Sequence, residues 1–334
     1  MTEKENYFKV MNGEQPEWLP HFTFGGSGGK TPTAMVSPRV FTTQHAPGVE
    51  SKDCWGVTYV PADSAAGGKI PKPNDFILRD IRDWREVIKL PDLSEYDFEA
   101  EAKEQLAKID RNETAVIYDL NAGVFQLLMS FMGFNEGLMA MFEEPEECAA
   151  LFEYLADFYC GCIEKCIDFY KPDIFTMMDD TAAWANPFIS MNMYKEFLLP
   201  LYDRQASFAR DRGIPITFHN CGKCQGFMEE VHKIGVVCWD PAQECNDLKA
   251  FKAKYGNSYV IAGGWINRDS LLAEGTTDEQ IYESVRETIN AYGGEGGYMW
   301  CGGFLGAKGD ERIAHMNKVV REAVKEIGAT FYQH

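Results

Sequence analysis

The sequence predicts an α/β protein, and within that class a (β/α)8 TIM barrel with an N-terminal extension or lid. Short apolar segments alternate with longer helical patterns, as in parallel sheets whose strands are joined by right-handed crossovers. Seven strand candidates are visible, and an eighth is expected in the irregular region 30–95. The length of 334 residues suits one barrel domain. A doubly wound sheet is the second interpretation of the same alternation.

The strand candidates share a short apolar core that is followed by polar residues or glycine. They are Leu19–Phe24, Ala115–Asp119, Asp173–Met178, Ile214–His219, Val236–Trp239, Tyr259–Ala262 and Gly297–Trp300. Short, mostly apolar runs are typical of strands that are buried on both faces. We therefore expect these segments to pair in one parallel sheet.

Helix signals lie between these strands. Apolar residues recur at intervals of three and four from Leu151 to Phe169, which predicts an amphipathic helix that Pro172 ends. Thr277 and Gln280 have the spacing of a capping box. Asp310 is expected to open the last helix of the chain.

The domain prediction is a single barrel over residues 1–334, with residues 25–95 as an irregular insertion or lid. This early region is rich in proline and aromatic residues, and it contains the glycine-rich stretch Gly25–Gly29. No internal repeat or linker of domain-boundary length interrupts the chain. The sequence therefore predicts one domain rather than two.

Composition excludes several classes of partner. The 32 Lys and Arg residues face 51 Asp and Glu residues, a net charge of −19, so no nucleic acid partner is expected. No apolar run approaches the roughly 20 residues that span a bilayer, so no membrane partner is expected. The charged N-terminal sequence is unlike a signal peptide. The ten cysteines are therefore expected to be reduced thiols or metal ligands in a cytoplasmic protein.

Three strand ends carry side chains suited to metal binding or proton transfer. Asp179 and Asp180 follow one strand, His219 and Cys221 follow the next, and Cys301 follows the last. The carboxyl ends of barrel strands face one mouth, so these residues are expected to converge. One imidazole and two thiols form a ligand set suited to Zn2+, with one position left for water or substrate.

The alternatives at these positions are structural. A single histidine or cysteine is more often an ordinary packed residue, but three coincident strand ends favour a site. Asp179 and Asp180 are candidates for orienting a ligand, binding substrate or accepting a proton, and helix capping is an equal alternative. Cys224 forms a C-x-x-C pair with Cys221, which leaves a redox pair or a further thiol ligand open.

Aromatic side chains flank the same strand ends and predict a wall that accepts a flat apolar ligand. The candidates for this substrate-binding wall are Trp184, Phe188, Trp265 and Trp300. The alternative is that these large side chains belong to the hydrophobic core, as most large residues at such positions do.

Several motifs carry a family resemblance that extends over nearly the whole chain. They are DCWGVTY at 53–59, FEEPEE at 142–147, MYKEFLLPLYDRQ at 193–205, HNCG at 219–222, NDLKAFKAKYG at 246–256, AGGW at 262–265 and CGG at 301–303. With them the chain resembles the uroporphyrinogen decarboxylase superfamily, and within it the zinc-dependent corrinoid methyltransferases. The resemblance implies a (β/α)8 barrel in which His219, Cys221 and Cys301 hold zinc. It leaves Glu244, Gln243 or an open position as the fourth ligand.

The resemblance implies a methyltransferase that works with a partner. Such an enzyme moves a methyl group from a small-molecule methyl donor, here an aromatic methyl ether, to the Co(I) of a corrinoid protein. The corrinoid (cobalamin) cofactor is then supplied by that partner. The alternative in the same branch methylates a thiol such as coenzyme M from a methylated corrinoid protein.

Two further alternatives fit less well. The decarboxylase branch has an N-terminal arginine-bearing motif that grips the carboxylates of its substrate, and the corresponding stretch here reads HFTFGGSGG. A barrel whose zinc is structural, and which binds a ligand without turnover, would require a closed four-ligand site.

Overall fold

The structure is a computed structural model that describes residues 1–22, 31–42, 49–62, 68–120, 122–294, 296–306 and 309–333. The strands are β1 (Thr33–Val36), β2 (Ser51–Lys52), β3 (Thr58–Pro61), β4 (Lys69–Pro71), β5 (Ala115–Asp119), β6 (Ile174–Met178), β7 (Ile216–His219), β8 (Val236–Ala242), β9 (Val260–Gly263) and β10 (Tyr298–Met299). The helices are α1 (Glu3–Met11), α2 (Arg39–Thr42), α3 (Trp84–Val87), α4 (Phe98–Leu106), α5 (Val124–Met132), α6 (Phe134–Glu143), α7 (Pro145–Tyr170), α8 (Met191–Met193), α9 (Leu199–Arg210), α10 (Gln225–His232), α11 (Leu248–Tyr255), α12 (Asp278–Tyr292) and α13 (Glu311–Thr330). Short 3-10 helices cover Ile81–Asp83 and Arg268–Leu272, and a π-helical turn covers Tyr194–Leu198.

A seven-stranded sheet forms the centre of the fold. Its order is β1-β5-β6-β7-β8-β9-β10, and every neighbouring pair is parallel. The predicted α/β class with a parallel barrel-type sheet is confirmed. β1 is the strand that the sequence places within region 30–95.

The structure describes residues 19–22 of the first strand candidate, Leu19–Phe24. His21 forms an isolated parallel bridge with Trp300, directly after β10. The N–H of Phe22 donates to the Trp300 carbonyl at 2.9 Å, and the Trp300 N–H donates to the Pro20 carbonyl at 3.0 Å. This segment therefore continues the sheet beyond β10, although Phe24 lies outside the described residues.

The inside of the curled sheet is packed with small and apolar side chains. They are Phe22, Ala115, Ile117, Ile174, Cys238, Val260, Ala262 and Met299, with Tyr7, Val10 and Met11 from α1. The Lys4 ammonium on α1 forms an ion pair with Asp173, just before β6, at 2.9 Å. Helix α1 therefore covers the amino ends of the strands, and the carboxyl ends remain for a site.

The predicted helix boundaries follow local chemistry. α7 ends at Tyr170, and its C-cap residue Lys171, directly before Pro172, has the left-handed conformation. Thr277 and Gln280 form the expected capping box at the start of α12. The Asp310 side chain caps α13 as predicted, by accepting a hydrogen bond from a backbone N–H of its first turn. These signals are confirmed because capping depends on neighbouring residues only.

Residues within the predicted insertion form a second, antiparallel sheet of β2, β3 and β4. Its last strand brings Ile70 and Pro71 to a cavity beside Asp180. The insertion or lid over 25–95 stays a prediction, and Gly25–Gly29 lies outside the described residues.

Among the described helices, none combines the length and the apolar character that crossing a bilayer requires.

Candidate functional site

Three potential metal ligands meet at the carboxyl ends of β6 and β7. Asp180 follows β6, His219 ends β7, and Cys221 lies two residues beyond. One ligand atom from each lies within 4.8 Å of the other two. His219 Nε2 is 3.5 Å from Cys221 Sγ and 3.9 Å from Asp180 Oδ1. We call this set the Asp-His-Cys cluster.

The loops after β6 and β7 are tied together by hydrogen bonds. Asp180 Oδ1 accepts from the Cys221 N–H at 2.8 Å. Asn220 Oδ1 accepts from the Thr181 N–H at 3.1 Å, and the Asn220 amide donates to the Thr181 hydroxyl at 2.8 Å. Gly222 has φ +83°, and a Cβ there would lie 2.5 Å from a backbone oxygen of the other loop. Glycine is therefore required for the turn that follows Cys221.

The ring of His219 is oriented by a buried carboxylate on β8. His219 Nδ1 lies 2.8 Å from Oδ2 of Asp240, whose side chain is fully buried. Burial alone lowers the pKa of His219, but its hydrogen bonds to Asp240 and Cys221 outweigh burial and raise that pKa well above 6.5. Burial raises the pKa of Asp240, against the opposing effect of His219. The arrangement leaves Nε2 facing the cluster.

The other predicted zinc ligands, Cys301 and Glu244, lie beside this cluster. Both line a cavity of about 310 Å³ together with Cys221. Neither belongs to the Asp-His-Cys cluster. Glu244 accepts a hydrogen bond from the Asn267 N–H at 2.8 Å. Burial raises the pKa of Cys301 to about 12, so a nearby cation is needed to stabilise its thiolate.

Gln243, the other candidate for the fourth position, is already hydrogen-bonded within the site. Its Oε1 accepts from the Gly222 N–H at 2.6 Å. Cys224 is buried, and its Sγ donates to the Asn220 carbonyl at 3.3 Å. Both contacts fix the loop that carries Cys221.

The adjacent aspartates have different environments. Asp179 is fully buried and accepts hydrogen bonds from the Tyr202 hydroxyl and from the N–H groups of Phe125 and Gln126, at 2.7, 3.0 and 2.9 Å. It therefore caps the first turn of α5. Burial raises the pKa of Asp179 to about 7 despite these hydrogen bonds. The Asp180 side chain is 33% exposed and faces the cluster.

The four aromatic residues of the predicted wall lie in three environments. Trp184 and Trp265 line the cavity of Cys221, which we call the tryptophan cavity. Phe188 lines a separate cavity of about 400 Å³ that also reaches Asp180. Trp300 is 1% exposed, and its ring packs 5.4 Å from that of Trp265. Trp300 is therefore part of the core behind the mouth. Its indole N–H donates to the carbonyl of Gly302.

Sequence reasoning missed two features of this mouth. Asp240 directly follows the strand candidate Val236–Trp239, and that position is the signal by which a sequence could point to it. The second feature is the cavity that Phe188 shares with Phe125 and Phe134, which are far from it in sequence. No local pattern brings those residues together.

Comparison with known proteins identifies the family. The sequence model of the uroporphyrinogen decarboxylase (URO-D) family matches residues 63–324. This chain belongs to the URO-D family. The resemblance seen in the sequence motifs is thereby confirmed at the level of the family. A search among curated proteins finds no significant match to this URO-D family member.

Solved structures agree with the family fold. A methyltransferase from Methanosarcina mazei is similar to this URO-D family protein, with a TM-score of 0.68 over 98% of this chain and 99% of that chain, at 12% identity. A sugar phosphate isomerase/epimerase from Parabacteroides distasonis covers 69% of this chain and 76% of that chain, at 12% identity and a TM-score of 0.33. The first likeness supports the fold over the full length, and the second is too weak to carry an argument.

Proposed function

We propose that this URO-D family protein is a zinc-dependent methyltransferase. In this proposal it moves a methyl group from an aromatic methyl ether to the Co(I) of a corrinoid protein, which is a separate partner. The observation that carries the proposal is the Asp-His-Cys cluster at the carboxyl mouth of the barrel. The zinc motif of the sequence and the likeness to the methyltransferase from Methanosarcina mazei support it.

The ligand distances fit a zinc ion. A tetrahedral zinc with bonds of about 2.0 Å to nitrogen and about 2.3 Å to sulfur holds those ligand atoms about 3.5 Å apart. His219 Nε2 and Cys221 Sγ are 3.5 Å apart. A carboxylate on the other ring nitrogen, as Asp240 provides, is typical of zinc-bound histidines. To bind the metal, His219 must present an unprotonated Nε2 and Cys221 must be a thiolate.

His219 and Cys221 would hold the metal, with Cys301 as the third ligand from the same mouth. Asp180 and Glu244 are the carboxylates available for the remaining position. Zinc bound there supplies a Lewis acid for the negative charge that develops on the oxygen as its methyl group leaves.

The protein's own residues provide positioning and proton transfer. Asp180 lines the cavity of Phe188 and lies 3.9 Å from His219 Nε2, so we assign it to hold the leaving oxygen in place or to move a proton to it. Asp179 supports Asp180 indirectly, because it anchors the end of β6 to α5. Trp184 and Trp265 reduce the access of water to the mouth.

Methylation of a thiol is the second candidate function, and one observation favours it. Arg268 lines the tryptophan cavity with Cys221 and Cys301. A cation at that place suits a thiol acceptor with an anionic tail, such as coenzyme M. However, the Arg268 guanidinium already forms an ion pair with Asp269 at 2.8 Å, which lowers its availability.

The test is methyl transfer with the zinc-loaded protein and a reduced corrinoid, either Co(I) cobalamin or a corrinoid protein. Methoxyarenes, methanol, methylamines and thiols are screened while the corrinoid spectrum is followed. We expect Co(I) to become methyl-Co(III) while a methoxyarene takes up a proton and is released as a phenol. Thiol methylation from methylcobalamin, without phenol release, would select the second candidate. If neither a methoxyarene is demethylated nor a thiol methylated, both candidate functions are contradicted.

A further inference from the structure

The cavity beside Asp180 is a feature of the mouth whose apolar lining the proposed metal site does not use. It has a volume of about 400 Å³, within the range of small-molecule sites. Four phenylalanines line it, Phe76, Phe125, Phe134 and Phe188. We call it the phenylalanine cavity.

We propose that the phenylalanine cavity, and not the tryptophan cavity, binds the aromatic ring of the methyl donor and selects uncharged methoxyarenes over carboxylated ones. The inference rests on the proposed function, because it assigns the substrate of that site. It differs from the sequence prediction, which places the ring on a single wall that includes Trp184, Trp265 and Trp300.

The walls suit a flat ring. Phe188 and Phe125 have nearly parallel rings, at 11° with centroids 6.2 Å apart. Phe134 meets Phe188 edge-on at 4.6 Å. Offset-stacked and edge-to-face arrangements are the ones that aromatic rings prefer, so the ring of a ligand finds both kinds of surface here.

Phe76 completes this wall through a close approach to glycine. Gly133, between α5 and α6, has φ +88°, and a Cβ there would lie 2.6 Å from the Phe76 ring. Only glycine allows that ring to rest on the backbone at this junction. The position of the Phe76 ring is therefore fixed by its packing against the backbone at Gly133.

The polar groups of the cavity select against negative charge. Asp180 contributes its only charge among the described lining residues, which include no lysine, arginine or histidine. Gln126 Nε2 donates to Asp180 Oδ2 at 3.3 Å, and Ser130 Oγ accepts from the Tyr59 hydroxyl at 3.2 Å. A ring carboxylate would be buried among phenylalanines, with no lysine, arginine or histidine among the described lining residues to pair with it, which is strongly unfavourable.

The position of Asp180 connects the cavity to the metal cluster. Asp180 lines the phenylalanine cavity, and its Oδ1 is 3.9 Å from His219 Nε2. A methoxy group at this end of the ring therefore lies beside the cluster. The tryptophan cavity, whose rim exposes Trp184 and Leu305 by 47% and 69%, then remains for the methyl acceptor.

Calorimetric binding to the zinc-loaded protein, without corrinoid, tests the assignment. The probes are 2-methoxyphenol, 4-hydroxy-3-methoxybenzoate and tetramethylammonium. We expect 2-methoxyphenol to bind at least about tenfold more tightly than the carboxylated probe, because burying a carboxylate without a positively charged lining side chain costs free energy. Equal or tighter binding of either charged probe, or no binding of any probe, would overturn the inference.

Variants locate the ring. Phe134→Ala and Phe188→Ala should each weaken 2-methoxyphenol binding about two- to tenfold, the size of one aromatic contact. Phe134 is 43% exposed, so its removal should leave the fold intact. The matched control is Phe142→Ala on the same helix, since Phe142 is 67% exposed and outside the cavity. Binding that is lost in Trp184→Ala but kept in both cavity variants would place the ring elsewhere and overturn the assignment.

The outcomes separate this inference from the proposed function. Methyl transfer to Co(I) together with unchanged binding in both cavity variants would overturn the cavity assignment and leave the function standing. The expected binding pattern without any methyl transfer would contradict the function, while the cavity would still be assigned to an uncharged aromatic ligand.

Discussion

Asp240 Oδ2 lies 2.8 Å from Nδ1 of His219, and this contact turns the other ring nitrogen toward Cys221 at 3.5 Å. Asp240 is fully buried, and its second oxygen has no hydrogen-bond partner in the part of the chain that the structure describes. Burying a carboxylate costs free energy unless it is paired, so its single partner is strongly held. The contact thus orients a metal ligand from beneath the mouth.

The metal content tests the ligand assignment. We expect about one zinc per chain in the purified protein, since three protein ligands converge on one mouth. His219→Ala, Cys221→Ala and Cys301→Ala should each lower that content and abolish methyl transfer, as measured by elemental analysis and corrinoid spectra. Cys54→Ala is the control, because Cys54 lies outside both cavities. Full zinc occupancy in all three ligand variants would refute the assignment.

Asp240→Asn tests the orienting contact. The amide keeps the volume but loses the charge, so zinc affinity should fall about 10- to 100-fold. Competition with a chelator of known affinity measures the change. Asp211→Asn, at the exposed end of α9, should leave the affinity unchanged. If both variants bind zinc like the parent protein, His219 does not depend on Asp240.

The two adjacent aspartates should respond differently to the same substitution. In Asp179→Asn, one carboxylate oxygen that accepts hydrogen bonds is replaced by an NH2 group, which would face a hydrogen-bond donor. The free energy of unfolding should therefore fall by about 1–3 kcal/mol. Asp180→Asn should keep the denaturation midpoint but reduce turnover. Urea denaturation and methyl-transfer kinetics measure these effects. Equal loss of stability in both variants would contradict the separation of roles.

The loss of stability in acid should arise partly from His21, which is not a member of the Asp-His-Cys cluster. Burial lowers the pKa of His21 from 6.5 to about 4. Between these values the unfolded chain binds a proton that the folded protein does not, so stability is lost as the pH falls from 6.5 to 4. At about 1.4 kcal/mol per pKa unit, the loss reaches about 3 kcal/mol.

His21→Gln should remove this part of the acid sensitivity, as measured by urea denaturation at several pH values. His315→Gln is the control, because the His315 side chain is 58% exposed. An unchanged pH profile in His21→Gln would show that the proton is taken up elsewhere.

Much of the fold can be predicted because its signals are local. The capping residues Thr277 and Asp310 act within one helical turn, and Pro172 ends a helix by its own geometry. The pairing partner of the first strand candidate could not be predicted, because His21 forms a bridge with Trp300, which is distant in sequence.

The sequence by itself determined that strands and helices alternate, and that His219 and Cys221 share one strand end. Period, capping and an H-x-C spacing are properties of neighbouring residues, so they are readable without a structure. Only the tertiary structure decided that Asp180 faces the mouth while Asp179 caps α5. Adjacent side chains of an extended chain point to opposite sides, and the packing of the strand chooses which one is inside.

The tertiary structure also decided which aromatic residues surround an open cavity. Trp300 is buried behind Trp265, whereas Phe188 joins Phe125 and Phe134 around a separate cavity. These rings come from the loop after β6 and from α5 and α6, which are distant in sequence. Their contact depends on how the helices pack on the sheet, and no sequence period encodes that packing.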